Sequence, residues 1–175
     1  MKCSLALLPA LVLFGVLLSC NKDQPQDDDL ALYLLIPDTL NAIEAADLPL
    51  DSLVLADEPI LSLGEIRTYD WSDHSFTITS TAYNRMENVL GENGSRINLE
   101  GIPFILTVNG ERIYLGAFWN PISSLPWHCS AITFPPLTES PLILNIIAPW
   151  RDVTPDQRSD HRIREVLDAA GVLQE

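Results

Sequence analysis

The dipeptide Asn109-Gly110 stands between two apolar runs in the segment PFILTVNGERIYLGAF, and it constrains the fold more than any other feature. A two-residue turn of type I′ needs a positive φ at both positions, which asparagine and glycine tolerate. The segment therefore predicts a β-hairpin over about residues 103–118. A two-residue loop would pair Val108 with Glu111, Leu106 with Ile113 and Phe104 with Leu115, and we expect these side chains to face the core.

The rest of the chain predicts further strands and helices around this hairpin. Alternating residues indicate strands at 66–71 and 75–79, and apolar runs indicate strands at 52–56 and 142–147. Helices are predicted at 39–46 with Asp38 as cap, up to about Leu90 with Ser80 or Thr81 as cap, and at 155–170. Residues 119–136 contain four prolines and no period, which predicts a long loop. The expected fold is α+β, a single mixed sheet with a central hairpin and helices packed on one face.

The N-terminal twenty residues have the layout of a signal peptide. Lys2 precedes an uncharged stretch in which residues 5–18 are mostly apolar, although a retained membrane anchor is the alternative. Leu17-Leu18-Ser19-Cys20 resembles the lipobox of bacterial lipoproteins. The resemblance implies cleavage after Ser19 and membrane attachment through lipid on Cys20, because two or three acyl chains anchor a protein stably.

This resemblance divides the chain into three parts. Residues 1–19 would be the signal peptide, residues 20–29 an acidic flexible tether, and residues 30–175 a single α+β domain. Asn21, rather than aspartate, follows the lipidated cysteine in this reading. We therefore expect a cell-envelope protein in the outer membrane rather than the inner one, with the leaflet left open.

A second pattern lies inside the predicted domain. Tyr69-Asp70-Trp71…His74, Gly101-x-Pro103-Phe104 and Gly110-x-x-Ile113-Tyr114-x-Gly116-Ala117-Phe118-Trp119…Ser123-Ser124 together resemble uncharacterised bacterial envelope proteins. The resemblance spans about residues 64–125. It implies that this part of the chain forms a folded domain, and it implies no particular activity.

The chain is strongly acidic, with a net charge of −14. Nucleic acid phosphates would repel it, so we expect no nucleic-acid partner. The acidity is explained either by solubility or by adaptation to high salt, where self-repulsion is screened.

Few residues form a recognisable catalytic or metal-binding pattern. His74, His128 and His161 lack the spacing of a metal motif, so we expect neither a metal nor a cofactor. Asp70 and His74 with Ser123 or Ser124 could form a hydrolase, but no G-x-S-x-G motif is present. Cys129 is expected to be a small buried residue rather than a nucleophile.

Aromatic residues crowd the end of the hairpin and the following loop. Their flat apolar faces and polar tips suit sugars and partner proteins, although they could instead fill the core. The candidate binding residues are Tyr114, Trp119, Ser123, Ser124, Trp127 and His128, with Asp70 and His74 as further polar candidates. We expect a non-catalytic domain that binds an envelope protein or a glycan. The alternatives are a small envelope hydrolase using Asp70, His74 and Ser123, and a purely structural lipoprotein.

Overall fold

A computed structural model describes residues 29–136, 140, 142–151 and 154–175. Cys20, the predicted signal peptide and the predicted tether up to residue 28 lie outside this part of the chain. The α+β class and the mixed sheet are confirmed. The ten strands of the described residues are β1 Leu30–Ile36, β2 Val54–Leu55, β3 Leu61–Ser62, β4 Ile66–Asp70, β5 Ser75–Ile78, β6 Ile102–Val108, β7 Glu111–Trp119, β8 Ser130–Thr133, β9 Ile143–Ile147 and β10 Leu173–Gln174.

The strands form one sheet in the order β10-β4-β5-β9-β8-β7-β6-β1-β2, and β3 also pairs with β1. The pairs β7–β8 and β10–β4 are parallel and the others are antiparallel. The three α-helices of the described residues are α1 Ala42–Ala46, α2 Ser80–Leu90 and α3 His161–Ala169. Short 3-10 turns occur at Leu50–Ser52, Leu63–Glu65, Glu92–Gly94 and Gln157–Ser159.

The hairpin of β6 and β7 turns at Asn109 and Gly110, whose φ angles of 50° and 77° are both positive, as the sequence predicts. Val108 pairs with Glu111, but a bulge then places Leu106 opposite Tyr114 instead of Ile113. The predicted register is therefore wrong by one residue beyond the bulge. Phe104 lies opposite Gly116, and a Cβ at residue 116 would come within 2.3 Å of the Phe104 ring.

The bulge also changes which face some side chains occupy. Ile113 and Tyr114 both join the main core, whereas Leu115 packs on the other face of the sheet, contrary to expectation. A bulge inserts a residue without a partner and so breaks the simple alternation of sides. Trp119 follows Leu115 at even spacing and lies on that second face as well.

The main core lies between the sheet and the two longer helices. Helix α2 contributes Ala82, Met86 and Leu90 to it, and helix α3 contributes Ile163 and Leu167. Helix α1 departs from the expected single helical layer. Its Ala42 and Ala45 pack beside Ala117 and Ile105, on the second face, which is thus also covered.

Other boundaries differ from the sequence prediction for local reasons. Asn41, not Asp38, caps α1 and accepts a hydrogen bond from the Glu44 backbone N–H at 2.9 Å. Helix α3 begins after Asp160, because the residues from Gln157 form a 3-10 turn first. The predicted long loop after residue 119 is interrupted by β8, which pairs with β7 and β9.

Candidate binding surface

A cleft of about 390 Å³ opens between the loop after β7 and the segment after β9. We call it the aromatic cleft. It is lined by Ser123, Ser124, Leu125, Pro126, Trp127 and Trp150.

Three tryptophans form a row that leads from the core to this cleft. Trp119 and Trp127 meet edge to face with ring centroids 6.2 Å apart, and Trp127 and Trp150 do so at 5.8 Å. Trp119 is 2% exposed, Trp127 is half-buried and Trp150 is 70% exposed. The row therefore ends in an indole ring presented to solvent.

Hydrogen bonds hold the outer part of this row in place. Trp127 Nε1 donates to the Ala148 carbonyl at 2.7 Å, and the Trp150 backbone N–H donates to the Trp127 carbonyl at 3.0 Å. Both bonds join the loop after β7 to the segment after β9. The two walls of the aromatic cleft are thus connected directly.

The loop after β7 is also tied to the rest of the domain. Asn120 Nδ2 donates to the Ile97 carbonyl at 3.1 Å, and the Ser123 hydroxyl donates to the Leu99 carbonyl at 2.6 Å. In this loop Ile122 is 81% exposed and Leu125 is exposed as well. Apolar side chains are therefore displayed on a loop whose backbone is anchored.

The structure separates the predicted binding residues into two groups. Ser123, Ser124 and Trp127 line the aromatic cleft, and His128 is exposed on the same loop. Tyr114 and Trp119 are buried, so neither belongs to the surface that the sequence predicted. Trp119 packs against Trp127 on the second face of the sheet, whereas Tyr114 lies in the main core.

Trp150 is the site residue that the sequence analysis missed. Its position in the sequence could have indicated it. Trp150 comes three residues after the end of β9 and directly after Pro149, where side chains no longer alternate between the two faces of a strand.

A second cleft, of about 340 Å³, borders the same 148–150 segment. We call it the polar cleft. It is lined by Ser130, Ala148, Pro149, Thr154, Asp156, Gln157 and Arg158.

An ion pair forms one wall of the polar cleft. Arg158 Nη2 donates to Asp156 Oδ2 at 2.7 Å and Nε donates to Oδ1 at 3.1 Å. Arg158 Nη1 donates to the Ile146 carbonyl at 2.7 Å, which fixes the guanidinium against β9. The hydrogen bond from Arg158 lowers the pKa of Asp156, so this carboxylate stays charged at neutral pH.

Two buried hydroxyls near this cleft lack a partner among the described residues. Ser130 lines the cleft but is only 1% exposed, and its Oγ makes no hydrogen bond there. The Tyr114 hydroxyl is likewise buried without a partner in the described part of the chain. In the parallel pairing of β7 and β8, Ser130 lies opposite Gly116, two residues from Tyr114 on that strand.

The structure does not assemble the hydrolase that Asp70, His74 and Ser123 could have formed. Asp70 accepts hydrogen bonds from the backbone N–H and hydroxyl of Ser72, and Ser123 is bonded to Leu99. His74 is buried, with Nδ1 3.0 Å from the Tyr69 hydroxyl and Nε2 3.5 Å from the Ser159 hydroxyl. A Ser159–His74 pair oriented by a tyrosine lacks the carboxylate that stabilises an imidazolium in a catalytic triad.

The Cys129 thiol and the possible metal ligands do not form a reactive site among the described residues. Burial raises the pKa of the Cys129 thiol to about 12, so it is not a thiolate at neutral pH. Within the described residues no three His, Cys, Asp or Glu side chains are grouped in a way that could hold a metal ion.

No family model, curated protein or solved structure matches this chain. Among the residues that the structure describes, no helix has the length and apolar character needed to cross a bilayer.

Proposed function

We propose that this chain is a lipoprotein of the bacterial cell envelope, attached to the membrane through lipid on Cys20, whose domain binds a partner protein or a glycan without catalysing a reaction. The anchor is supported by the lipobox-like segment Leu17-Leu18-Ser19-Cys20. The aromatic cleft is the binding surface.

The exposure of Trp150 is the observation that carries the binding function. An indole ring that is 70% exposed leaves a large apolar area in water, and Ile122 and Leu125 add to it. Tryptophan is enriched at the centres of binding interfaces, where its broad face contributes much of the affinity. The ring is also preorganised, since its own backbone and its neighbour Trp127 are hydrogen-bonded in place.

The absence of catalysis is supported by how the polar candidates are used. Asp70 and Ser123 make local hydrogen bonds of the kind that stabilise turns and loops. His74 is buried between Tyr69 and Ser159 and does not line the aromatic cleft.

Crosslinking on membranes tests this proposal. Cells expressing the full-length chain are treated with a short crosslinker, and wild type is compared with Trp150→Ala and with Val54→Ala. Val54 is 59% exposed on β2, which stands at one end of the sheet order and does not line either cleft, and it serves as an apolar control. We expect Trp150→Ala to reduce recovery of the bound partner or glycan by tenfold or more, and Val54→Ala to leave it unchanged.

Fatty-acid labelling of wild type and of a Cys20→Ala variant tests the anchor, because the variant should not carry the label. Equal recovery from wild type and a folded Trp150→Ala protein would reject the aromatic cleft as the binding surface.

A further inference from the structure

The Ser130 hydroxyl is the first of three observations about the polar cleft. It is buried at the cleft wall and has no hydrogen-bond partner among the described residues. A buried hydroxyl without a partner destabilises a fold, so such a group usually has a partner from outside the chain. A hydroxyl can both donate and accept, which suits a ligand that does the same.

The second observation is the balance of charge in the cleft. The guanidinium of Arg158 is matched by the carboxylate of Asp156, so the wall carries no net charge. Arg158 has five N–H donors, and its contacts within the described residues use one on each nitrogen. One donor on each Nη remains for a ligand, although the side chain is mostly buried.

The third observation concerns which ligands this cleft disfavours. An anion would meet a neutralised arginine on a chain whose net charge is −14. An extended peptide would need a free strand edge, but β8 and β9 each pair with a strand on both sides. Thr154 and Gln157 at the exposed rim offer further neutral donors and acceptors.

We propose that the ligand is an uncharged oligosaccharide, with one sugar ring held by Ser130, Asp156 and Arg158 in the polar cleft and another stacked on Trp150 in the aromatic cleft. This inference rests on the proposed binding function and names its ligand class. The two clefts adjoin along the 148–150 segment, since Ala148 and Pro149 line one and Trp150 lines the other. A volume of about 340 Å³ falls in the usual range for small-ligand sites, about 300–1,000 Å³.

The test uses full-length protein and immobilised oligosaccharides in two matched sets. One set is neutral, built from hexoses, pentoses and N-acetylhexosamines, and the other carries sulfate or uronate groups. We expect binding to members of the neutral set. Ser130→Ala should weaken that binding about 3- to 10-fold, as loss of one neutral hydrogen bond does, and should leave the melting temperature unchanged or raise it.

Measuring both the affinity and the melting temperature of Ser130→Ala distinguishes a ligand-binding role of Ser130 from a purely structural one. If Ser130 only stabilised the fold, Ser130→Ala would lower the melting temperature and leave affinity unchanged. Gln157→Ala, at the exposed rim, is a second variant with little risk to folding and should also weaken binding.

Failure of this inference is distinguishable from failure of the proposed function. Binding that needs Trp150 but is unaffected by Ser130→Ala and Gln157→Ala overturns the polar cleft as a sugar site. A Trp150-dependent protein partner with no neutral oligosaccharide bound overturns the ligand class while the binding function remains. Preference for the charged set would also overturn it.

Discussion

His74 shows at the scale of one residue how burial fixes a protonation state. It has a φ of 57° in the turn between β4 and β5, and its ring lies between Tyr69 and Ser159. Burial, and next the positive charge of Arg158, lower the pKa of His74, while Asp156 and Asp73 act in the opposite direction. The folded protein therefore binds this proton less tightly than the unfolded chain does.

We expect acid to destabilise the domain through His74. The contribution of His74 to the free energy of unfolding is complete above the pKa of histidine in an unfolded chain, about 6.5. It is lost as the pH falls from there through the lower pKa of the folded state. The melting temperature of wild type should thus fall more between pH 7 and pH 5 than that of His74→Asn, which lacks the titrating group. Asparagine is chosen because it tolerates the positive φ at this position.

His128 and His161 are exposed and present in both proteins, so the difference isolates His74. The pKa of Asp160 is lowered to about 2, chiefly by its hydrogen bond with Arg162, and this group titrates below the interval. Identical pH dependence of the two melting temperatures would contradict the assignment.

Helix α3 illustrates how a single element is held to the core. Asp160 caps it by accepting a hydrogen bond from the Arg162 backbone N–H at 2.9 Å, and Gly171, with a φ of 69°, follows its end. Ile163 and Leu167 are its fully buried residues, one turn apart on the same face. Packing of this stripe, more than helix propensity, should therefore stabilise α3.

We expect Leu167→Ala to lower the free energy of unfolding by about 2–5 kcal/mol, because it opens a cavity in the main core. The matched control is Glu165→Ala on the exposed side of the same helix, which should change it by about 0.5 kcal/mol or less. Urea unfolding of the three proteins measures both values. A loss below about 1 kcal/mol for Leu167→Ala would show that α3 does not cover the core as described.

Elements with one dominant local signal were predictable from the sequence, and those that depend on distant partners were not. The turn at Asn109-Gly110 and helix α2 follow from local chemistry, whereas β1 does not alternate because both of its faces are covered. Strand β8 has four residues and is defined by pairing with β7 and β9.

The candidate site divides in the same way. The sequence placed Ser123, Ser124 and Trp127 together because they share one loop, but Trp150 joins them only through tertiary packing. Trp119 was misjudged because the second face of the sheet, on which it lies, is covered by α1 and by Trp127 and is not open to solvent.

At the scale of the whole molecule, the C-terminal strand protects one edge of the sheet. The Tyr69 backbone N–H donates to the Val172 carbonyl at 2.8 Å and that of Trp71 donates to Gln174 at 2.9 Å. Without these bonds β4 would be an edge strand with unpaired backbone groups. Such edges favour pairing with other chains.

Deletion of residues 172–175 should therefore lower the free energy of unfolding by roughly 2–4 kcal/mol and promote self-association. The loss combines two backbone hydrogen bonds with the packing of Val172 and Leu173 against the core. Thermal melts and light scattering measure the two effects, with deletion of the exposed Glu175 alone as the control. A truncated protein that stays monomeric and melts like wild type would show that β10 has no protective role.

The position of β1 within the sheet determines when the domain can finish folding. Leu30 pairs with Val108 and Leu34 with Phe104, so the first strand to be synthesised finds its main partner only after some seventy further residues. Pairings of such long sequence separation slow folding, because the chain must close a long loop before it gains the contacts. A chain emerging from its N-terminus therefore leaves segment 30–36 with only the short strands β2 and β3 as sheet partners until the hairpin has emerged.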